Sequence, residues 1–175
     1  LLVLRAQGRQ VRRLEVEARR VVLRGVVRRP LDEAHARRGH AVGQQAVAAF
    51  LSAKGQAAEE GKINRQIDTL ARFINMHVAN GVKLENIELA MVVHGKAAMD
   101  MTGDFYQKLN KGTLNANQAL IAELTKHQVK FYVCGQTAAY YGIGAEDLLP
   151  GVNMALSALT AHAILAQQGY SLNPF

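Results

Sequence analysis

The chain has 175 residues, 49% of them apolar, a length and composition that fit one domain with an appended segment. It has a single cysteine, which excludes an intrachain disulfide framework and a zinc site built on several thiolates. The net charge of +7 would ordinarily indicate nucleic acid or an anionic surface as a partner. Residues 1–50 carry all of this charge, with eleven arginines against four acids, so residues 51–175 are predicted to be a neutral domain that binds no nucleic acid.

The N-terminal segment, residues 1–49, uses only ten types of amino acid, each of which can be encoded by a codon beginning with G or C. This pattern is expected when a GC-rich gene is read in the wrong frame or on the wrong strand. The segment is therefore interpreted as a frameshift or gene-calling artefact, with a disordered basic arm as the alternative because paired arginines recur along it. Residues 50–175 are predicted to form one α/β domain.

The first elements of this domain follow from apolar periodicity. Apolar residues recur at spacings of three and four from Ile63 to Val78, which predicts an amphipathic helix that ends before Gly81. The run Ile87–Val93 is short, apolar and bounded by turn residues, as in a strand buried on both faces. Residues 97–110 are expected to form an irregular helix or a loop.

The second half of the domain alternates between helix and strand signals. A helix capped by Asn115 or Asn117 is predicted to run to about His127. The further predicted elements are a strand at Val129–Val133, a short helix at Gln136–Tyr141, a strand at Val152–Ala155, a helix near 157–168 and a strand at Tyr170–Asn173. This alternation predicts a mainly parallel sheet with helices on both faces.

The first strand and the last helix are the elements at the two ends of the predicted domain. A first strand should precede the helix at 62, but only Gln45–Leu51 is available, and Val47 and Phe50 fit a strand poorly. Residues 148–175 carry no charged side chain, yet polar residues interrupt the run, so it is too short for a membrane span and predicts a buried final helix. The expected compartment is the cytoplasm, with the periplasm left open because the chain does not begin with Met.

Polar groups follow two of the predicted strands. In an open parallel α/β sheet, ligands bind beyond the carboxyl ends of the strands. His94 and Lys96 follow one strand, and Cys134 follows another and precedes a helix. We therefore expect His94 and Cys134 at the same edge of the sheet, on adjacent or next-but-one strands.

Cys134 is the candidate for chemistry. The backbone N–H groups of Gly135, Gln136 and Thr137 could face its sulfur at the start of the helix, which would favour the thiolate and lower the thiol pKa. A cysteine that is simply a small buried hydrophobe is the alternative. His94 could accept the thiol proton or contact a bound anion, or it could only fix the loop through a backbone carbonyl.

The remaining polar residues of the domain bear on the charge near Cys134 and on whether a metal or a dinucleotide is bound. Lys96 could supply positive charge near the thiolate, although a solvated lysine is the more common case. The other histidines of the domain lie on separate predicted helices without ligand spacing, so no metal site is predicted, and no cofactor is expected. The GxG fragment at 142–144 opens no long helix after a strand and is not a dinucleotide fingerprint.

Several stretches resemble one known family. The sequences KFYVCGQTAAYYGI (130–143), DLLPGVNMALSALTAHAIL (147–165) and GYSLNPF (169–175), with NRQIDTLARFINMHVANGV (64–82) and ENIELAMVVHGKA (85–97), are similar to members of the DsrE/DsrF-like (YchN-like) family. The resemblance covers about residues 58–175. It implies a flavodoxin-like three-layer α/β/α sandwich, assembly of identical subunits into trimers or hexamers and, at the position of Cys134, a cysteine that carries a persulfide in several members.

Three functional hypotheses follow from these observations. In the first, the protein is a sulfur-relay protein in which Cys134 takes a sulfur atom from a donor protein or a small sulfur species and passes it to an acceptor. In the second, it is a non-catalytic oligomeric module that binds a small molecule or a partner at the same edge. A Cys–His hydrolase is the third, and it lacks an identifiable acid to orient His94.

Overall fold

The computed structural model describes residues 46–173. The arginine-rich segment that the sequence predicts to be an artefact or a basic arm falls at residues 1–49, so all but its last four residues lie outside the described part of the chain.

Five parallel strands form one sheet in the order β4-β3-β2-β1-β5. They are β1 (Val47–Lys54), β2 (Ile87–His94), β3 (Lys130–Cys134), β4 (Val152–Ala155) and β5 (Ser171–Asn173). The predicted α/β class with a mainly parallel sheet is confirmed, because every strand pair in the described residues is parallel.

The first strand, β1, is the element that the sequence indicated least clearly. It lies inside the sheet, pairs with β2 along all eight of its residues and pairs with β5 on its other side. Alanines and a serine make up half of its residues, which gives it a low intrinsic preference for a strand. Pairing on both edges therefore outweighs the local preference. The strand begins at Val47, three residues before the predicted domain boundary at 50.

Five α-helices connect the strands: α1 (Arg65–Ala79), α2 (Asp104–Leu109), α3 (Asn117–Lys126), α4 (Gly135–Tyr141) and α5 (Ala158–Gln167). Short 3₁₀ segments lie at Leu84–Asn86, Gly95–Met101 and Ala145–Asp147. Asn64 caps α1, since its side chain accepts a hydrogen bond from the backbone N–H of Gln66 at 2.9 Å. The irregular region predicted at 97–110 is the 3₁₀ segment at Gly95–Met101 followed by α2.

The two faces of the sheet carry cores of different size. The larger core lies between the sheet and helices α1, α3 and α4, with Ile67, Leu70 and Leu120 fully buried. The smaller core lies on the opposite face under α5 and includes Phe50 and Cys134. With helices on both faces, the described residues form three layers, as predicted.

The register of the sheet brings two of the predicted site residues to one edge. Val93 of β2 pairs with Val133 of β3, and each strand ends one residue later, at His94 and Cys134. Neighbouring strands lie about 4.8 Å apart, so the two residues follow adjacent strands at the same carboxyl edge. The expected placement of these two residues is confirmed.

Candidate functional site

Cys134 occupies the turn between β3 and α4. It is the last residue of the strand and the N-cap of the helix, with an extended backbone (φ −64°, ψ 118°). A sulfur atom thus stands where an N-cap oxygen usually accepts hydrogen bonds from the first turn. The side chain is only 4% exposed.

Gly135 lets two chain segments approach closely behind this turn. A Cβ atom at Gly135 would lie 2.6 Å from the carbonyl oxygen of Ala155 and 3.0 Å from that of Leu156. Both are backbone atoms, so a larger residue would push β4 and the start of α5 away from Cys134. The glycine therefore serves the approach of a second helix to the cysteine.

Burial and polar groups at the starts of two helices act on the pKa of the Cys134 thiol in opposite directions. Burial raises the pKa of the Cys134 thiol, but the backbone N–H groups of Thr137, Ala158 and Gln136 and the hydroxyl of Thr137 lower it, and the net pKa lies below the ordinary value. Donors to the sulfur favour the thiolate over the thiol. Gln136 and Thr137 are among the groups that lower this pKa and Gly135 is not, and a role of these three residues in thiolate chemistry stays a prediction.

The N–H group of Ala158 comes from α5, which begins 24 residues after Cys134 in the chain. Ser157 caps α5, because its Oγ atom accepts a hydrogen bond from the N–H of Thr160 at 3.0 Å. The cap occupies the N–H of Thr160 and leaves that of Ala158 for the sulfur. Two helix N-termini, each carrying partial positive charge, therefore face one sulfur atom.

His94 lies on the same face of the sheet as Cys134. Ala90 and Val92 of β2 pack in the small core with Cys134, and side chains alternate along a strand, so His94 points to that side as well. Its Nε2 atom is 3.4 Å from the Oγ atom of Ser52 on β1. The imidazole is half-buried, and its role in proton or anion chemistry stays a prediction.

Lys96 lies on the exposed surface of the 3₁₀ segment that follows β2. Among residues 46–173, no hydrogen bond or ion pair joins it to Cys134. The neighbouring Gly95 does connect to the site, because its N–H donates to the Oγ1 atom of Thr137 at 3.2 Å. This hydrogen bond links the segment after β2 to the first turn of α4, which follows Cys134.

Two groups at this site were not predicted from the sequence, the N–H of Ala158 and the hydroxyl of Ser52. The sequence does carry a helix-start signal at Ser157, which could have placed the free N–H groups of α5. No local signal indicates that this helix start meets the end of β3. The contact of Ser52 with His94 joins residues 42 positions apart and likewise has no local signature.

A second buried polar centre surrounds Asp100, in the 3₁₀ segment after β2. Its Oδ2 atom accepts hydrogen bonds from the N–H of Ala58 at 2.9 Å and from Nδ2 of Asn64 at 2.7 Å, while no donor in residues 46–173 reaches Oδ1. Asn115 supports the segment by donating to the carbonyl oxygens of Asp100 and Thr102. Burial raises the pKa of Asp100 and outweighs the two hydrogen bonds that lower it.

Large apolar side chains are exposed beside the cysteine, at the start of α5. Leu156 is 80% exposed and Leu159 is 78% exposed, on either side of Ala158. No Asp, Glu, Lys or Arg occurs from residue 148 to the end of the chain, so the surface formed by α5 is uncharged. An uncharged surface with exposed leucines is typical of a contact with another protein.

The described part of the chain contains neither a group of metal ligands nor a membrane-spanning helix. Between residues 46 and 173, no three His, Cys, Asp or Glu side chains are grouped so as to hold a metal ion. None of the helices in this range combines the length and the apolar character that a membrane crossing requires.

Comparisons with known proteins agree with this architecture. The model of the DsrE/DsrF-like family matches residues 46–174, a range that includes β1. No curated protein matches the chain. The solved structure of MTH1491, a protein of unknown function from Methanobacterium thermoautotrophicum, is similar with a TM-score of 0.51 and 17% sequence identity, over 75% of this chain and 99% of that one. At this identity the likeness supports the fold alone.

Proposed function

Because the chain belongs to the DsrE/DsrF-like family, we propose that it is a sulfur-relay protein that carries a persulfide on Cys134. One observation carries the proposal: a buried cysteine ends β3 at the carboxyl edge of the parallel sheet and is the N-cap of α4. The backbone N–H groups and the hydroxyl around it lower the pKa of its thiol despite burial. A cysteine that only fills space needs no such donors. Donors of this kind stabilise a sulfur anion, which is the species that attacks another sulfur.

The proposed reaction conserves atoms and electrons without an external oxidant. The Cys134 thiolate attacks the outer sulfur of a donor persulfide, R–S–SH, so that a new S–S bond forms on Cys134 and the S–S bond of the donor breaks. The donor departs as the thiolate R–S⁻. In the second half, the thiolate of an acceptor attacks the outer sulfur on Cys134 and restores the Cys134 thiolate.

His94 and Lys96 have distinct places in this proposal. The imidazole of His94 follows the strand next to that of Cys134, and we assign it the acceptance of the thiol proton or contact with the outer sulfur of the persulfide. The Oγ atom of Ser52, 3.4 Å from Nε2, would hold the ring in place. Lys96 is exposed, so its contribution to the thiolate is screened by solvent and salt.

The partners that fit this site are sulfur donor and acceptor proteins or small sulfur species. The exposed, uncharged start of α5 beside Cys134 supports assembly of identical subunits into trimers or hexamers. Light scattering of the purified chain should then give a multiple of the monomer mass. Replacement of both Leu156 and Leu159 by Ser should reduce that mass, whereas a monomeric wild-type protein would contradict this part of the proposal.

The proposal is tested by loading the protein with glutathione persulfide, followed by intact-mass measurement. We expect one added sulfur atom on the wild-type protein, removed by a reductant, and none on Cys134→Ser. Cys134 is the only cysteine of the chain, so the assay has no competing thiol. If the wild-type protein gains no sulfur while Cys134 reacts with a small alkylating reagent, the sulfur-relay proposal fails.

A non-catalytic binding module of the same fold is the second candidate, favoured by the 4% exposure of Cys134. In that case the surface at the start of α5 would bind a partner and the thiol would only pack in the core. The pKa of Cys134 separates the two candidates, since a binding module does not need a lowered one. The pH dependence of alkylation measures this pKa directly.

A further inference from the structure

His162 lies in α5, the helix that covers the smaller core and begins beside Cys134. Its ring packs on Phe50 of β1, with the ring centroids 5.1 Å apart and the ring planes tilted by 40°. The residue is half-buried, and its Nε2 atom is buried without a hydrogen-bond partner in residues 46–173. A titratable ring is therefore part of the contact between α5 and the sheet.

The neutral and the protonated ring of His162 differ in what they bury. A neutral imidazole has one nitrogen without a hydrogen, so Nε2 can be that nitrogen while the hydrogen lies on Nδ1. A protonated ring has a hydrogen on both nitrogens, so it would bury an Nε2–H donor without an acceptor, together with a positive charge. Burial accordingly lowers the pKa of His162 from its ordinary value of 6.5. The docked helix favours the neutral ring.

The other contacts of α5 with the sheet are small and apolar. The buried residues of the helix are Ala158, Ala161 and Leu165, and all three pack in the smaller core. The chain has no Asp, Glu, Lys or Arg from residue 148 onward, so α5 carries no carboxylate that could pair with a protonated His162. The cap at Ser157 binds the N–H of Thr160 in the same helix and does not attach α5 to the sheet.

The groups on the sheet face under α5 also bear on the charge of His162. The helix packs against β2, β3, β4 and β5, and it contacts β1 through Phe50. The titratable residues at the positions of this face are Lys54, Glu88, His94, Lys130, Tyr132, Cys134 and Tyr170. The one carboxylate among them, that of Glu88, accepts a hydrogen bond from the Tyr170 hydroxyl at 2.7 Å. Cys134 is the other source of negative charge near neutral pH, because its pKa is lowered.

We propose that His162 makes the docking of α5 pH-sensitive, since protonation of its ring puts an unpartnered N–H and a charge into the contact with the sheet. The contribution of the neutral ring is fully present above pH 6.5 and is lost as the pH falls from 6.5 toward the lowered pKa of the docked state. Ala158 of α5 packs with Cys134 in the smaller core, so weaker docking also opens the surroundings of the thiol. The inference is independent of the sulfur-relay function, because it concerns the docking of a helix.

The test measures amide hydrogen exchange of α5 in the full chain. After correction for the intrinsic exchange rates, we expect the protection of α5 in the wild-type protein to fall about tenfold between about pH 7.5 and about pH 5.5. His162→Phe keeps an aromatic ring against Phe50 but cannot be protonated, so its α5 should lose no more than about twofold over this range. His162→Leu provides the same comparison if His162→Phe does not fold.

Two further variants assign the effect to His162. His77→Phe removes a histidine that stacks on Phe73 in α1, on the opposite face of the sheet, and it should leave the fall in α5 protection unchanged. Cys134→Ser should leave it unchanged as well. A fall that disappears in either variant would belong to another titrating group and would overturn the inference.

The titration of His162 itself needs no substitution and is followed by NMR. We expect its imidazole to titrate below the ordinary pKa of 6.5. A value at or above 6.5 would overturn the inference. The same holds for wild-type α5 protection that does not change with pH, and for an equal fall in His162→Phe.

Discussion

Cys134 and Asp100 are both buried acids near the carboxyl edge of one sheet, and their environments shift their pKa values in opposite directions. Burial raises the pKa of each group. Three N–H groups and a hydroxyl outweigh burial at Cys134, whereas two donors do not outweigh it at Asp100. The pKa of each acid therefore depends on whether its hydrogen-bond donors compensate for the water that the anion loses on burial.

The two centres also differ in what they connect. The donors to Asp100 come from the loop after β1 and from Asn64 at the start of α1, so this centre ties the segments that open the larger core. The groups that lower the pKa of Cys134 belong to the first turns of two helices, α4 and α5. We infer that the Asp100 centre contributes mainly to stability and the Cys134 centre mainly to chemistry.

The largest expected effect is the loss of stability when Asp100 is replaced, and it separates the role of Asp100 in stability from the role of Cys134 in chemistry. Asp100→Ala removes the acceptor for the N–H of Ala58 and the amide of Asn64, and it should lower the free energy of unfolding by about 2–4 kcal/mol. Cys134→Ala loses a small buried side chain and should cost about 1 kcal/mol. Urea denaturation of both variants measures the difference, and an equal or larger loss for Cys134→Ala would contradict the division of roles.

Gly135→Ala tests the approach of α5 to the cysteine. The added Cβ would contact backbone oxygens at 2.6 and 3.0 Å, so we expect a loss of about 1–3 kcal/mol in unfolding free energy. The N–H of Ala158 should move away and the pKa of Cys134 should rise. Gln136→Ala is the control, because Gln136 contributes only its backbone N–H. A wild-type thiol pKa in Gly135→Ala would remove Ala158 from the donor set.

The pH dependence of stability tests the other centre. The pKa of Asp100 is raised in the folded state above its ordinary value of 3.8. Its contribution to stability is therefore fully present below pH 3.8 and is lost as the pH rises through the folded pKa. Asp100→Asn lacks this loss, so its unfolding free energy relative to wild type should rise with pH, by about 1.4 kcal/mol for each pH unit between the two pKa values. Parallel pH profiles for both proteins would refute a raised pKa.

The smallest expected effect concerns Lys96. Its ammonium group is exposed, and exposed charges interact weakly in salt solution. Lys96→Ala should change the alkylation rate of Cys134 by less than about twofold, at low and at physiological salt. A larger change that disappears at high salt would show that this lysine acts on the thiolate after all.

Much of the fold and part of the site could be predicted from local patterns. The ends of β2 and β3 and the start of α4 follow from short apolar runs and the residues that bound them, so the positions of His94 and Cys134 at one edge were predictable. The first strand was harder, because its alanines carry a weak local preference and its conformation depends on pairing with β2 and β5.

The parts of the site that could not be predicted depend on contacts between distant residues. Ala158 contributes a backbone N–H, a group that every residue except proline carries, so the sequence does not single it out. It comes close to Cys134 only because Gly135 permits the approach of α5. The acceptors and donors around Asp100 likewise lie 36 and 42 residues apart in the chain. Local patterns predict which residues end a strand, whereas tertiary packing determines which groups from elsewhere meet them.

The donors that face Cys134 have a further consequence for the second half of the proposed reaction. A sulfur whose anion is stabilised is a weaker nucleophile once formed, but it is a better leaving group. When an acceptor attacks the outer sulfur of the persulfide, Cys134 is the group expelled, and the N–H groups of Gln136, Thr137 and Ala158 stabilise it as it departs. In the proposed relay, the same donors that favour loading would therefore also favour rapid release, so a site of this kind would pass sulfur on and not store it.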